Sequence, residues 1–189
     1  MLISREREKL INAIVFFAEN TRYCGKIKLF KLLYLLDFEH FRQTGLSVTG
    51  LEYRAWQYGP VPAAVAQEWD APQADFQQAI RIEPEPVFDY TRQAAKANVP
   101  FNDRYFTRRE LQILGALAEK YRDDYAMPMV NVTHVENGAW AKVWADGRGM
   151  DQPIEYALAL REDEPNRAGI LETAAEYASI AAASALTHH

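Results

Sequence analysis

The chain has 189 residues, which suits one compact domain or a domain with a short appendage and excludes repeat arrays and large two-domain enzymes. It is 49% apolar, and 26 acidic residues against 21 basic ones leave a net charge of −5, which argues against a disordered chain and against unaided binding to nucleic acid or an anionic membrane. Cys24 is the only cysteine, so no disulfide framework and no Cys-rich zinc site can form, and the reducing cytoplasm is the expected compartment.

In chain order, Ser4 caps a first helix that carries Glu6 and Glu8 in its early turn and repeats Leu10, Ile14 and Phe17 at helical spacing to about Asn20. A second helix spans Ile27 to Arg42 and stops near Gly45, suited to a left-handed cap. Its run from Leu29 to Leu36 leaves almost no polar face, as expected of a helix surrounded by others. Leu51 to Trp56 alternates at period two and reads as a short strand, which Gly59-Pro60-Val61-Pro62 breaks. Pro62 is placed as the first residue of a short helix through Val65 and Trp69, and a further helical turn covers Ala74 to Ile80. Prolines 84, 86 and 100 make Arg81 to Phe106 irregular, with short strands near Val87–Thr91 and Ala97–Phe101. Thr107 and Glu110 form a capping box for a helix running to about Asp124. Helical patterning continues from Met129 to Trp144 across a break at Asn137-Gly138, and a short helix covers Pro153 to Leu160. Residues 161–167 read as a solvated linker, followed by an Ala-rich helix from Gly169 to Leu186.

The chemical signatures are sparse. There is no phosphate-binding glycine loop, no His-Glu-x-x-His and no Gly-x-Ser-x-Gly. His134 and Glu136 have the His-x-Glu spacing of zinc deaminases, which also need a Cys-x-x-Cys pair. Asp37 and His40 have the spacing of two metal ligands on one helix, but Asn131 stands where a second such pair with His134 would need a carboxylate. A metal-dependent enzyme using Asp37, His40 and His134, with Glu136, is thus one reading; the plainer one is that Asp37 and His40 bond neighbours and order the end of a buried helix. Cys24 reads as a small packing residue. Arg22, Lys26, Lys28 and Lys31 read as a solvated basic surface.

The run Lys28-Leu29-Phe30-Lys31-Leu32-Leu33-Tyr34, then Gly45, Ala55-Trp56 and Gly59-Pro60-Val61, resembles the Panacea domain of SocA-like antitoxins. The capped helix at Thr107, then Thr133-His134, Glu136 and Trp140, and a short helix near Ile154 extend the resemblance over roughly residues 8–160. It implies a mostly α (α+β) fold, with a compact helical domain over 1–161, a small antiparallel β element, and a linker and C-terminal helical tail over 162–189. It further implies a bacterial, cytoplasmic antitoxin of a type II toxin–antitoxin system, also met in phage-related contexts, that binds its cognate toxin protein directly. One known mode is that of an adaptor delivering the toxin to an AAA+ protease. No catalytic residue and no cofactor carries over.

On this reading Lys28, Leu32, Tyr34, Trp56, Gly59, Pro60, His134, Glu136 and Trp140 form the frame. Gln57, Tyr58 and Val61 at the turn, with Phe88, Tyr90 and Tyr105, are the candidate toxin contacts, because aromatics on a rigid turn are typical interface anchors. The small residues of the tail suit either docking on the body or pairing with a second copy.

Overall fold

The computed structural model describes residues 5–87, 89–134 and 138–186. The expected Ser4 cap, Phe88, Glu136 and the Asn137 half of the break lie outside the described residues.

Helix α1 (Glu6–Asn20) and helix α2 (Lys26–Thr44) carry most of the core. In α2 the residues Leu29, Leu32, Leu33 and Leu36 are fully buried, as its lack of a polar face requires. The helix stops at Gly45, whose φ of +81° completes the left-handed cap with its N–H on the Phe41 carbonyl.

Next come β1 (Tyr53–Trp56) and β2 (Gly59–Pro62), paired antiparallel with Trp56 opposite Gly59. The segment expected to break the chain is therefore a second strand. Gln57 and Tyr58 keep negative φ, and Gly59, at φ +100°, supplies the left-handed residue that closes the turn. Pro62 ends β2 and caps α3 (Ala63–Asp70), one residue before its expected place, and α4 (Ala74–Ala79) follows.

The region expected to be irregular is a long ribbon of β3 (Ile80–Val87) and β4 (Tyr90–Ala97), and its turn lies where the first short strand was expected. Parity explains how Pro84 and Pro86 fit. The Ala95 amide, opposite Ile82, donates away from β3 to the Cys24 carbonyl, so Ile82–Ala95 is a pair without ladder bonds. Pro84 and Pro86 share the parity of Ile82, and their missing N–H groups face outward, where no ladder bond is lost.

Helix α5 (Arg108–Lys120) opens on the expected capping box, with the Glu110 amide donating to the Thr107 hydroxyl and the Thr107 amide to the Glu110 carboxylate. Two short helices, α6 (Ala126–Thr133) and α7 (Ala139–Trp144), replace the rest of the pattern. The helix expected over Pro153 to Leu160 shrinks to a 3-10 turn at Tyr156–Ala159. Residues 151–154 instead lie along the outer edge of β1, where the Asp151 and Ile154 amides donate to the Ala55 and Tyr53 carbonyls and the Ala55 amide to the Gln152 carbonyl.

The last helix, α8 (Arg167–Leu186), folds back on α2. Ile170 joins Phe41 and Leu160 in a small second cluster, Arg42 pairs with Glu164, and the backbone approaches so closely that a Cβ on Gly45 would stand 2.4 Å from the Ile170 carbonyl oxygen. The fold is mostly α with a minor β part: eight α-helices and two antiparallel two-stranded ribbons among the described residues. No helix among them is long and apolar enough to cross a membrane.

Candidate functional site

The frame residues meet around the N-terminal two-thirds of α2. The Lys28 ammonium is buried and donates to three carbonyls, those of Arg22, Arg122 and Asp124, which ties the loop before α2 to the loop after α5. Burial lowers its pKa from the ordinary lysine value, and the nearby Cys24, Asp124 and Asp123 offset that only in part. One turn on, Lys31 is buried with a single acceptor, the Pro60 carbonyl at 2.8 Å, and burial lowers it from the ordinary lysine range to about 7. Gly59 lies against it: a Cβ there would come within 2.7 Å of Lys31 Nζ and 2.9 Å of Thr133 Oγ1, so a side chain at this position would displace both groups, and its φ of +100° disfavours any residue but glycine.

Across the hairpin, the Trp140 indole donates to the Trp56 carbonyl at 3.0 Å and its face stacks on His134 at 3.7 Å. His134 Nε2 is buried without a hydrogen-bond partner, and burial together with the nearby Lys31 lowers the ring's basicity. Tyr34 is buried against Phe38 and Tyr53, and Leu32 is fully enclosed. The basic stretch is thus not one solvated surface. Lys28 and Lys31 point inward, while Arg22 and Lys26 pair with Asp123 and Asp70.

Asp37 and His40 take the plainer of their two readings. The fully buried Asp37 carboxylate accepts four hydrogen bonds, from the Val48 and Thr49 amides and the Thr49 and Tyr53 hydroxyls. Burial pushes this carboxyl up and the four donors pull it back. Its lone pairs are all engaged by protein donors, and His40 Nδ1 lies 2.7 Å from the Leu46 carbonyl. Asp37, His40 and His134 do not come together, and no three His, Cys, Asp or Glu side chains among the described residues form a metal-binding group. Cys24 is buried and its thiol is pushed up to about 11 by desolvation, which leaves it unreactive at neutral pH.

On the outer side of the hairpin the chemistry changes from polar anchoring to bare apolar surface. Ile27, Trp56, Tyr58 and Met150 are 41%, 46%, 58% and 62% exposed, and all four line one groove of about 330 Å³ whose base includes Phe30 and Val61. They are half of the eight large hydrophobic side chains exposed among the described residues. Trp56, expected in the frame, serves it through its carbonyl while its ring faces the groove. Its indole N–H donates to Asp151 Oδ1 at 3.0 Å, which holds the neighbouring Met150 in place.

Gln57, Tyr58 and Val61 line this groove as well. Tyr90 and Tyr105 line no part of this groove. Tyr90 is exposed at the ribbon turn, and Tyr105 bonds Arg104 and lies under Arg5. Ile27 and Met150 were missed by sequence reasoning. Ile27, the one apolar residue of the second helix's first turn flanked on both sides by lysine, carried a usable signal, whereas Met150 is brought in only by the 151–154 segment.

Residues 29–141, more than half of the chain, match the family model described as antitoxin SocA-like, Panacea domain. No curated protein and no solved structure matches the chain. The matched stretch covers most of α2, both ribbons, α5 and α6, and so contains the hairpin with its turn.

Proposed function

Because the chain belongs to the SocA-like antitoxin family, Panacea domain, we propose that it neutralises a toxin protein by binding it directly, with the groove beside the β1–β2 hairpin as the contact surface. The observation that carries this reading is the gathering of Ile27, Trp56, Tyr58 and Met150 on one groove whose walls are fixed from below. Exposed apolar patches of this kind mark interaction sites, and Trp and Tyr are the residues most often dominant in protein–protein binding. Rigidity adds to this. Lys31, Gly59 and the Trp140–Trp56 bond hold the turn in a single shape, so little side-chain or loop ordering remains to oppose association.

The test is co-expression of this chain with a candidate toxin, sought first in the adjacent reading frame and shown by itself to inhibit growth. The wild type is expected to restore growth. Tyr58→Asp, at an exposed turn position, is expected to leave the melting curve unchanged and to lower rescue at least tenfold. Full rescue by a folded Tyr58→Asp protein would contradict the hairpin groove as the contact. Steady toxin levels during rescue are expected of neutralisation by blocking; accelerated toxin loss would instead favour hand-over to a protease.

A further inference from the structure

A second trough runs along the opposite stretch of α2, between α2 and α5, with a volume of about 580 Å³ and no lining residue in common with the hairpin groove. Its apolar lining includes a helical stripe: Leu35 from α2, Ile113, Ala116 and Leu117 from α5, and Val132 from α6. Ala116 is exposed, and Leu35, Leu117 and Val132 are only half-buried, so the stripe is open along its length.

The ends of the trough are cationic. Arg109 and Lys120 sit at the two ends of the α5 stripe, eleven residues apart, which is about 16 Å along a helix axis. Among the described residues neither has a carboxylate partner: Arg109 reaches only the Gln43 carbonyl at 3.5 Å, and Lys120 lies over the Tyr121 ring. The remaining charged groups of the lining, Glu39 and Arg42, are paired with each other, and Arg42 also holds Glu164. In a chain of net charge −5, two unpaired cations bracketing an apolar stripe are a specific feature.

We propose that this trough docks an amphipathic helix of a partner protein that presents apolar side chains on one face and a carboxylate at each end of that face. Eleven residues make three turns to within about 20°, so acidic residues at positions i and i+11 of such a helix lie on the same side and span the distance from Arg109 to Lys120. Apolar residues at the intervening i+4 and i+7 fall onto the stripe. The pairing is that of a helix in a groove, with the charges fixing register.

The test uses a synthetic helical peptide of 15 residues with Leu on one face and Glu at two positions eleven apart, and a matched peptide with Lys at those two positions, titrated against the full chain by fluorescence anisotropy. The Glu peptide is expected to bind at least tenfold more tightly than the Lys peptide. In the double variant Arg109→Glu with Lys120→Glu, both side chains being exposed, the fold should survive and the preference should invert. Equal binding of the two peptides, an unchanged preference in the double variant, or no binding of the Glu peptide would overturn the proposal. Tyr58→Asp is expected to leave peptide binding unchanged, so failure of the trough and failure of the hairpin reading register on different variants.

Discussion

Asp37→Ala is expected to lower the unfolding free energy by about 4–5 kcal/mol, the upper range for removing one member of a buried, fully hydrogen-bonded polar cluster. Four donors lose their acceptor at once, and two of them, the Val48 and Thr49 amides, are backbone groups that cannot turn elsewhere. With about 2–4 °C per kcal/mol for a chain of this size, the melting temperature should fall by on the order of 10 °C or more. Asp37→Asn provides the control for charge against geometry. Its carbonyl oxygen can keep both amides, and its NH2 can donate to the Thr49 and Tyr53 hydroxyls once they rotate, so its cost should be about 1–2 kcal/mol. Urea unfolding of the three proteins is the measurement. An alanine variant within about 1 kcal/mol of wild type would mean that Asp37 does not anchor the 46–53 segment on α2.

The second large effect separates two buried lysines one turn apart. Lys28→Met is expected to cost about 3 kcal/mol, because three carbonyls lose a charge-assisted donor. Lys31→Met removes one donor, from Pro60, together with a charge that burial disfavours, and should stay within about 1 kcal/mol at pH 7. The pH dependence distinguishes them further. Folding lowers Lys31 from an ordinary 10.5 to about 7, so between these values the unfolded chain binds a proton that the folded chain does not. The stability that comes with a neutral Lys31 is fully present above about pH 10.5 and is lost progressively as the pH falls to about 7. Wild-type stability should therefore rise from pH 7 to 9.5 relative to Lys31→Met, by up to about 1.4 kcal/mol per pH unit. A Lys31→Met protein with the same pH profile as wild type would show that the ammonium is solvated.

The parts of this fold that sequence revealed are those whose signals are local. An apolar run broken only by Lys31 and leaving almost no polar face made α2 the core helix, and Gly45 and the Thr107–Glu110 box marked helix ends because caps act within one turn. The parts that sequence concealed depend on pairing. Pro60, Pro62, Pro84 and Pro86 read as strand breakers, yet in a two-stranded ribbon a proline with its nitrogen facing outward breaks no ladder bond, and parity becomes visible only once the partner strand is placed. Likewise, Lys28 and Lys31 carry charge that suggests surface. The clue to their burial was that residues 29, 30, 32 and 33 around them are all apolar, so an ammonium on such a helix must find carbonyls inside. Of the groove, Gln57, Tyr58 and Val61 were legible as a rigid corner, while the partners that make it a surface arrive from α2 and from the 151–154 segment.

The organisation that emerges is a polar frame beneath an exposed apolar surface. Of the residues weighed in sequence as metal ligands, Asp37 and His40 hold the 46–53 segment on α2 and His134 stacks on Trp140 of α7, while Lys31 ties α2 to the hairpin. The side chains left facing solvent at the hairpin are the ones suited to contact.

Amide hydrogen exchange, measured on the chain alone and on its complex with the toxin proposed as its partner, puts the hairpin contact to the test. The backbone amides of Gln57, Tyr58 and Met150 are expected to exchange more slowly in the complex; exchange there at the free rate, with protection confined to other surfaces, would rule out the hairpin groove as the contact.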